Sequence, residues 1–587
     1  MLELHLKRKL LEAGGKAFVG KKSLVALDTD HIKQYVFATD RLKEIRGASS
    51  ILDNLNRSVM TELAKDKESE FEAEPVYANG GSGLFLVDGD RRVAEEFGLR
   101  IQQAYQKETR GGASITFAVQ EIPDSVQNVW NDNIWHTLEL LRYSLAQEKN
   151  SPPDIIALPS HPFLCVCDAC GMRYAEKRDF NEAGDEVSRE RRYCDVCMKK
   201  RDEDGKVKTG IDAIIRERKD ADVVKLSEAR PFAWERVIKL LPQDYDIPLN
   251  TERPPDFNEL RGISGGKDYL ALIYADGNGM GQSMADLKTL TDVRDKARII
   301  DEAVYDAMSF AISKHLQVIP GDKNTPPMFP FDILLIGGDD IMMVTPASLA
   351  LDVTCSIAMK FYEQTRGKGP EGKSYTLSIG VVLAPVKYPF GMLQDLVEST
   401  LKAAKKEGTK RKSDSTYGET FINFMTVTGS TSLDFNRVYK SLHDKHVRVS
   451  GHRGDVAFYA TLRPYTVEEL TLLLNTIREG KRKALGRTKL HQVREAVLQM
   501  NLTSSVSEGL GVLRNWRTRQ REFVTQHVYT LGRRYQEQYQ HAEKPGTMFP
   551  RVTFPWFADG PDTYRTSLLD FVELYDFVAQ EEVDDDK

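Results

Sequence analysis

The residues of this chain best suited to chemistry are two adjacent acids at a predicted tight turn. The segment Phe331–Val344 reads as an apolar strand, a Gly337-Gly338 turn, the acids Asp339 and Asp340, and a second apolar strand. Glycines readily adopt the positive-φ conformations of a two-residue hairpin. Two carboxylates this close disfavour joint ionisation unless cations neutralise them, and Mg²⁺ bound by carboxylates and phosphates would do so. Taken alone, the segment could also be a solvated turn.

A third acid lies upstream, at the end of another apolar strand. Lys267–Asp276 is that strand, and Gly277-Asn-Gly-Met-Gly281 follows it. A strand-end acid, then helices, then an acid-bearing hairpin is the layout of a nucleotidyl-transfer palm, where two metal ions clamp an attacking 3′-hydroxyl and the transferred phosphate. The glycines after the strand would let backbone N–H groups approach a triphosphate. The pattern predicts Asp276, Asp339 and Asp340 as the metal-binding acids.

The size and charge of the chain limit what can position these acids. A chain of 587 residues exceeds a single hydrophobic core, so several domains are expected. Its net charge of −6 argues against a generic polyanion binder, while local basic patches remain compatible. No apolar run is long enough to span a bilayer, and the N-terminus lacks the apolar core of a secretory signal. We therefore expect a cytoplasmic protein.

The order of elements around the acids recurs earlier in the chain. Ser23–Asp30 reads as a strand ending in acids, and helices, a Pro75–Val87 hairpin, another helix and another strand follow. The same order runs from Asp268 to Leu383, so we interpret it as an internal duplication of one α+β unit of roughly 100–120 residues. An alignment of Gly80–Gly83 with Gly337–Asp340 gives the first copy the glycines without the acids. The first copy would then hold a nucleotide or only support the second.

Two C-x-x-C pairs lie between the copies. Cys167 with Cys170 and Cys194 with Cys197 offer four thiolates, which match tetrahedral zinc. A site closed by four protein ligands is structural. Crowded cysteines in a cytoplasmic protein favour metal over disulfides, and a redox role is the alternative for a single pair. Two further donors could replace a ligand, namely Cys165 and His161.

Basic residues follow the acids. The predicted helix 391–407 carries Lys402, Lys405 and Lys406, which could neutralise triphosphate oxygens or form an ordinary solvated face. From about residue 432 the sequence is largely helical. Its basic segment from Arg478 to Lys489 suits a phosphate backbone or a solvated connector.

Together these features resemble the large signalling subunit of type III CRISPR effector complexes. That family has two palm domains, a zinc module between them and a helical C-terminal domain. The matching motifs are Tyr274-Ala-Asp-Gly-Asn-Gly-Met-Gly281, Ile336-Gly-Gly-Asp-Asp340, Arg46-Gly-Ala-Ser-Ser-Ile-Leu-Asp53 and Arg463-Pro-Tyr-Thr466. The expected fold is therefore α+β, with two ferredoxin-like palm domains at 1–130 and 256–431, a helical and zinc-binding module at 131–255, and a helical domain at 432–587.

The resemblance implies a reaction and a set of partners. ATP would bind in the paired palms, and the 3′-oxygen of one molecule would attack the α-phosphate of another, giving cyclic oligoadenylates with Mg²⁺ or Mn²⁺ as cofactor. Asp276, Asp339 and Asp340 would bind the metals, and Gly337 and Gly338 would shape the nucleotide seat. Two first-copy residues would face the acceptor nucleotide, namely Ser49 and Ser50. Other effector subunits, guide RNA and target RNA would be the partners.

The chain departs from the family in two places. Many members begin with an HD nuclease, but the first palm strand here starts near residue 23, so we expect no such nuclease. His443-Asp444 is a lone pair without the other scattered ligands. Asn278 stands where an acid is often found, which argues against a fourth metal-binding carboxylate.

Other functions remain open at this stage. The chain could make a different adenylated messenger, or it could be a catalytically silent scaffold that binds partner subunits and RNA. A diguanylate-cyclase-like enzyme fits less well, because the turn reads Asp339-Asp340-Ile341 where that family carries an acid, Glu and Phe. A templated polymerase fits less well because no separate duplex-holding module is apparent.

Overall fold

The structure is a computed structural model of the chain, and part of the sequence is described in it. The described residues are 21–65, 72–150, 163–179, 191–219, 233–260, 268–410, 416–428, 434–435, 437–439, 445–448, 455–499, 502–528, 552–560 and 563–579. His161, the His443-Asp444 pair and the acidic C-terminal segment fall outside them.

The first copy is a four-stranded sheet with helices packed on it. Its strands are β1 (Lys22–Asp30), β2 (Glu72–Asn79), β3 (Ser82–Asp88) and β4 (Ser114–Glu121), in the order β2-β3-β1-β4. Its helices are α1 (Ile32–Val36), α2 (Leu42–Asn54), α3 (Met60–Ala64), α4 (Arg91–Glu108) and α5 (Trp135–Asn150). A π-helical turn at Leu55–Val59 joins α2 to α3. The alternation of buried and exposed positions along α4 buries Phe97 and Tyr105 against the sheet.

The second copy has a larger sheet of the same design. Its strands are β7 (Tyr269–Gly277), β8 (Asp332–Gly337), β9 (Asp340–Pro346), β10 (Leu377–Pro385), β11 (Phe421–Thr426) and β14 (Tyr465–Thr466), in the order β14-β11-β10-β7-β9-β8. Its helices are α8 (Met280–Ala285), α9 (Leu290–His315), α10 (Ala350–Gln364) and α11 (Phe390–Lys410). The central strand β7 is almost entirely buried, as expected for an apolar strand covered on both faces. The duplication read from the sequence is therefore present in the fold.

Strand pairing fixes which residues of the two copies correspond. Asp28 lies opposite Ser82 across β1 and β3, and the β7–β9 register, which pairs Ala275 with Ile341, sets Asp276 opposite Asp340. Asp28 therefore corresponds to Asp276, and Ser82 corresponds to Asp340. The alignment of Gly80–Gly83 with Gly337–Asp340 was wrong by one residue, because both turns contain two residues and the glycine runs begin at different points on them.

A module between the copies contains the cysteines. It consists of a short hairpin, β5 (Lys177–Asp179) with β6 (Arg191–Tyr193), and the helices α6 (Asp195–Lys219) and α7 (Ala233–Leu240). Helix α6 packs directly on α2 of the first copy, where a Cβ on Gly47 would lie 1.7 Å from the Lys200 carbonyl oxygen. The absence of a side chain at Gly47 thus allows the two helix backbones to touch.

A buried ionic cluster joins this module to both copies. Arg46 of α2 donates from Nη1 to Asp332 Oδ2 at 2.9 Å and from Nη2 to Asp204 Oδ2 at 3.2 Å. Asp332 opens β8 and is fully buried, and it also accepts from Trp234 Nε1 at 2.9 Å. The strand that leads to the acids is therefore held at its start by residues of the first copy and of the intervening module.

The C-terminal region mixes helices with a sheet. Its helices are α12 (Val467–Arg482), α13 (Arg487–Leu498), α14 (Leu502–Arg514), α15 (Thr518–Phe523) and α16 (Leu568–Leu574). Its strands are β12 (Lys445–Arg448), β13 (Asp455–Tyr459), β15 (Val552–Thr553), β16 (Trp556–Gly560) and β17 (Thr563–Arg565), in the order β12-β13-β17-β16-β15. The predicted α+β class is confirmed, and this small sheet was not predicted, because its strands are too short to give a periodic signal. The domain boundaries at 130, 255 and 431 stay predictions.

Candidate functional site

The three acids meet where the end of β7 lies beside the β8–β9 turn. The backbone N–H of Gly277 donates to Asp339 Oδ2 at 3.2 Å, and the Tyr274 hydroxyl donates to Asp340 Oδ1 at 3.3 Å. Asp276 precedes Gly277 directly and follows Tyr274 by two residues, so all three carboxylates share one end of the sheet. The predicted juxtaposition of these acids is present in the structure.

A lysine from the following helix contacts the strand-end acid. Lys405 of α11 donates to Asp276 Oδ2 at 2.5 Å and reaches the Gly277 carbonyl at 3.4 Å. The other two predicted lysines lie elsewhere: Lys402 pairs with Glu398 at 2.8 Å with its side chain 72% exposed, and Lys406 is exposed. The structure therefore brings only Lys405 of the three to the acids.

Burial and mutual repulsion raise the pKa of the two turn acids. Burial is the main cause of the raised pKa of Asp340, to about 7, and the charges of Asp276 and Asp339 add to it. Burial likewise raises the pKa of Asp339, with Asp276 contributing. Carboxylates in this state gain from a cation that neutralises them. The donor set is all oxygen, which fits Mg²⁺ or Mn²⁺.

Asn278 holds the loop after β7 rather than adding to the acids. Its Nδ2 donates to Thr376 Oγ1 at 3.0 Å and to the Glu419 carbonyl at 3.1 Å. Its Oδ1 accepts from Ser378 Oγ at 2.7 Å. All of these partners belong to β10, β11 or the segments before them, so Asn278 fixes the end of β7 to its sheet neighbours. An acid at this position would lose the two bonds that the amide nitrogen donates.

The two hairpin turns pack against each other. A Cβ on Gly80 would lie 2.7 Å from the backbone nitrogen of Gly338, and a Cβ on Gly337 would lie 2.7 Å from the Cα of Gly80. Gly338 has φ 61° and requires glycine for its conformation. Gly337 does not adopt the positive φ expected from the sequence and is instead limited by contact with Gly80. Corresponding turns thus meet at a pseudo-twofold axis.

A cavity of about 410 Å³ opens beside this contact. The first copy contributes most of the wall, including His31, Lys33 and Ser49, and the second copy contributes Gly337 and Asp340. The volume lies in the range of small-molecule sites. His31 begins α1 with a left-handed backbone (φ 49°), at the place where Gly279 (φ 65°) begins α8.

The predicted acceptor serines divide between two spaces. Ser49 lines the cavity, while Ser49 and Ser50 both border a void of about 10 Å³ near Arg46 and Trp234. Ser50 therefore does not line the large cavity. Residues that sequence reasoning missed include Lys33 and Asn56. Asn56 accepts from the buried Tyr105 hydroxyl at 2.7 Å, and its place in a π-helical turn has no clear sequence signature.

The four predicted cysteines converge. The Sγ atoms of Cys167, Cys170, Cys194 and Cys197 all lie within 4.8 Å of one another, so the group could hold a metal ion. Among the described residues no other group of three or more such ligand atoms is as close. Cys165 is exposed and its Sγ contacts Arg192 Nη1 at 2.7 Å.

The basic segment of the C-terminal region contacts the protein itself. Arg478 binds Asp352 at 2.6 Å, Arg487 binds Asp576 at 2.8 Å, and Lys481 donates to the Val578 carbonyl at 2.6 Å. These contacts favour a structural connector over a phosphate-binding segment. Among the described helices, none combines the length and the apolar character that crossing a membrane requires.

Comparison with known proteins finds a family that the acid-bearing copy matches. Residues 269–413 match the Cas10/Cmr2 family, in its description "second palm domain". This segment contains Asp276, Asp339 and Asp340 and is similar to the second palm domain of that family. No curated protein matches the chain.

Solved structures of Csm1 share the fold of the whole chain. A Csm1–Csm4 cassette in complex with pppApApA matches with a TM-score of 0.51 and 13% identity, covering 95% of this chain and 69% of that chain. The cassette in complex with cA4 matches with a TM-score of 0.50 and 15% identity over the same shares, 95% and 69%. Csm1 of T. onnurineus matches with a TM-score of 0.48 and 15% identity, covering 90% of this chain and 69% of that one.

The coverage and identity of these matches limit the conclusions that can be drawn from them. The chain spans between 54% and 69% of the length of the Csm1 chains that it matches. At these identities the similarity shows the fold. The resemblance to the large type III CRISPR subunit, first noted in the sequence motifs, is confirmed by the palm-domain match and this shared fold.

Proposed function

We propose that this protein is a nucleotidyltransferase of a type III CRISPR antiviral complex, which converts ATP to cyclic oligoadenylate-type messengers when target RNA is bound. The observation that carries the proposal is the group of three carboxylates in a segment that matches the Cas10/Cmr2 palm domain. One of them, Asp340, lines a cavity shared with a second palm-like copy. The proposal includes both the reaction and the complex in which it occurs.

Asp276, Asp339 and Asp340 would hold two Mg²⁺ or Mn²⁺ ions. Bound there, the ions would supply a deprotonated 3′-oxygen nucleophile and charge neutralisation at the transferred phosphate. The protein positions the acids through the Gly277 N–H, which donates to Asp339, and through the Tyr274 hydroxyl, which donates to Asp340. Both bonds hold the carboxylates toward the same end of the sheet before nucleotide binds.

Nucleotides would bind at the contact between the copies. Gly277, Gly337 and Gly338 would let nucleotide approach the backbone there, since a side chain at any of the three would collide with a neighbour or strain the turn. Ser49 would face a nucleotide in the cavity, and Ser50 would support the α2 segment beside it. Lys405 would bind phosphate oxygens when a cation takes over the charge of Asp276, with Lys402 and Lys406 giving a weaker field from the surface.

The cysteine cluster would bind Zn²⁺ through Cys167, Cys170, Cys194 and Cys197. Four converging sulfurs match the tetrahedral preference of zinc and leave no open position, so the role is structural. The metal would fix the start of α6, and α6 packs on α2. Loss of zinc would then loosen the first copy.

The partners would be other effector subunits, guide RNA and target RNA. The Csm1 chains that share the fold were solved as cassettes with Csm4, which supports an equivalent partner for this chain. A soluble, cytoplasmic complex follows from this assignment.

The test is mass spectrometry of products after incubation with ATP and Mg²⁺. The protein is assayed alone and in the reconstituted complex with guide and target RNA, beside the Asp339→Ala/Asp340→Ala variant. Adenylate products that require both acids are expected, and their masses name the messenger, including any that is not a cyclic oligoadenylate. Equal silence of wild type and variant, in a complex shown to bind its target, would overturn the enzyme assignment in favour of a silent scaffold.

A further inference from the structure

Lys33 of the first copy faces the catalytic acids of the second. It lies in the first turn of α1 and lines the cavity together with Asp340. Its ammonium lies 4.8 Å from the centroid of the Tyr274 ring, and the hydroxyl of that ring contacts Asp340. A cation from the copy without the acids therefore lies one side chain away from the acid-bearing turn.

The present partner of Lys33 binds it weakly. Glu398 Oε2 lies 3.5 Å from Lys33 Nζ, and the two side chains are 36% and 28% exposed. Such half-exposed pairs contribute little to stability. Glu398 also pairs through Oε1 with Lys402 at 2.8 Å. If Lys33 moves away from Glu398, that carboxylate therefore keeps Lys402 as an ion-pair partner.

The cavity needs a cation to accept a polyphosphate. Asp53 and Asp340 both lie in its wall. Arg57 Nε pairs with Asp53 Oδ1 at 2.7 Å, so Asp340 is the carboxylate that would repel an anionic ligand. Among the described residues of that wall, Lys33 is the single lysine or arginine. Lysine suits this task because its ammonium is a compact charge on a flexible stem, which can follow a phosphate as it moves.

We propose that Lys33 binds the phosphates of a nucleoside triphosphate seated between the two copies. This inference rests on the proposed function, since it assigns a residue to the nucleotide of that site. Lys33 would contact the phosphates from the Asp340 side, and Lys405 from the Asp276 side. The copy that lacks acids would then contribute a substrate-binding residue to the copy that has them, so neither copy alone would form a complete phosphate site.

The test compares ATP with adenosine as probes. The full chain is titrated by calorimetry with each probe in Mg²⁺ buffer, as wild type and as Lys33→Ala, Lys33→Arg and Lys107→Ala, where Lys107 is an exposed lysine of α4 outside the cavity. Loss of one charge-assisted contact is expected to weaken ATP binding roughly tenfold. The affinity for adenosine should not change in Lys33→Ala. Lys33→Arg should bind ATP nearly as tightly as wild type, and Lys107→Ala should bind ATP with the wild-type affinity.

The outcomes separate this inference from the proposed reaction. Unchanged ATP affinity in Lys33→Ala, or an equal loss for ATP and adenosine, would overturn it, the second because it indicates a general structural role. If wild type gives no nucleotide product but Lys33→Ala still loses ATP affinity selectively, the inference stands and the proposed reaction fails. If wild type binds no ATP at all, both are overturned.

Discussion

The two palm copies share a framework and differ at two positions of the turn. Both have a strand-end acid paired with a lysine from the helix after the fourth strand, namely Asp28 with Lys149 and Asp276 with Lys405. In the second copy Asp339 and Asp340 occupy the turn, where the first copy has Gly81 and Ser82. The acid–lysine pair therefore belongs to the fold, and the turn acids distinguish the copy that is proposed to bind metal.

The difference also teaches why the first copy is retained. Its turn packs backbone to backbone on the acid-bearing turn, and the first copy supplies most of the shared cavity wall. The absence of turn acids from the first copy allows this close approach. If both turns carried two acids, four carboxylates would meet at the axis and repel one another strongly. Under the proposed function, the asymmetry would place the metal-binding charge on one side and nucleotide contacts on the other.

The largest effect is expected from the turn acids. Replacing Asp339 and Asp340 by asparagine should reduce product formation at least on the order of a thousandfold, because the charges that hold the metals are lost. Ser82→Ala, at the position corresponding to Asp340, should stay within about twofold of wild type. The measurement is product formation from ATP by the complex with target RNA. Comparable losses in both would break the assignment of roles to the copies.

The next largest effect is expected from the buried link between the copies. Arg46→Ala leaves the fully buried Asp332 without its ion partner and should lower the free energy of unfolding by about 3–5 kcal/mol. Arg91→Ala, which breaks an exposed pair with Glu95, should cost less than about 1 kcal/mol. Urea denaturation of the full chain measures both. Equal costs would show that Arg46 does not hold β8 to the first copy.

A smaller effect is expected where the turns touch. Gly80→Ala adds a methyl group 2.7 Å from the Gly338 nitrogen, whereas Gly111→Ala adds one to open space at a similar φ of 67°. Both variants carry backbone strain of about 1–2 kcal/mol, and Gly80→Ala should lose about 1–3 kcal/mol more through overpacking. Thermal or urea unfolding compares them. A Gly80→Ala variant as stable as Gly111→Ala would mean that the turns can separate at little cost.

The smallest effect is expected in the pH dependence of stability. Burial and neighbouring acids raise the pKa of Asp340 to about 7, so its folded form binds a proton that the unfolded chain releases at lower pH. Its stabilising contribution is present in acid and is lost as pH rises toward 7. In Mg²⁺-free buffer, wild type should lose roughly 2 kcal/mol relative to Asp340→Asn between pH 5 and pH 8.

Urea midpoints of the two proteins at each pH measure this difference. Adding Mg²⁺ should reduce it, because a bound cation stabilises the ionised carboxylate. Identical pH profiles for wild type and Asp340→Asn would show that the pKa of Asp340 is not raised in the folded protein. The same comparison in Ser82→Ala should give the wild-type profile.

The sequence predicted most of the framework, since the strands, the duplication and the cysteine cluster have strong local patterns. Apolar strands such as Tyr269–Gly277 and the C-x-x-C spacing are readable residue by residue. The alignment of the two copies at the turn could not be predicted from the sequence. Repeated glycines around Gly80 and Gly337 allow two alignments, and only the strand pairing distinguishes them. Contacts distant in sequence were also beyond reach: nothing near Lys33 indicates that it faces Tyr274, and Gly337 is required by Gly80 rather than by its own φ.

The edge strand β14 has a consequence for how the protein can be divided. Tyr465 and Thr466 pair with Ile422 and Phe421, so the sheet of the second copy ends on a strand that lies well beyond the predicted boundary at 431. A shortened protein that stops at that boundary would expose the hydrogen-bonding groups of β11, and open sheet edges of this kind promote aggregation. The Thr466 capping box with Glu469 then starts α12 directly from this strand. The smallest soluble catalytic unit should therefore extend through α12, and recombination between related proteins should keep the palm and this helix together.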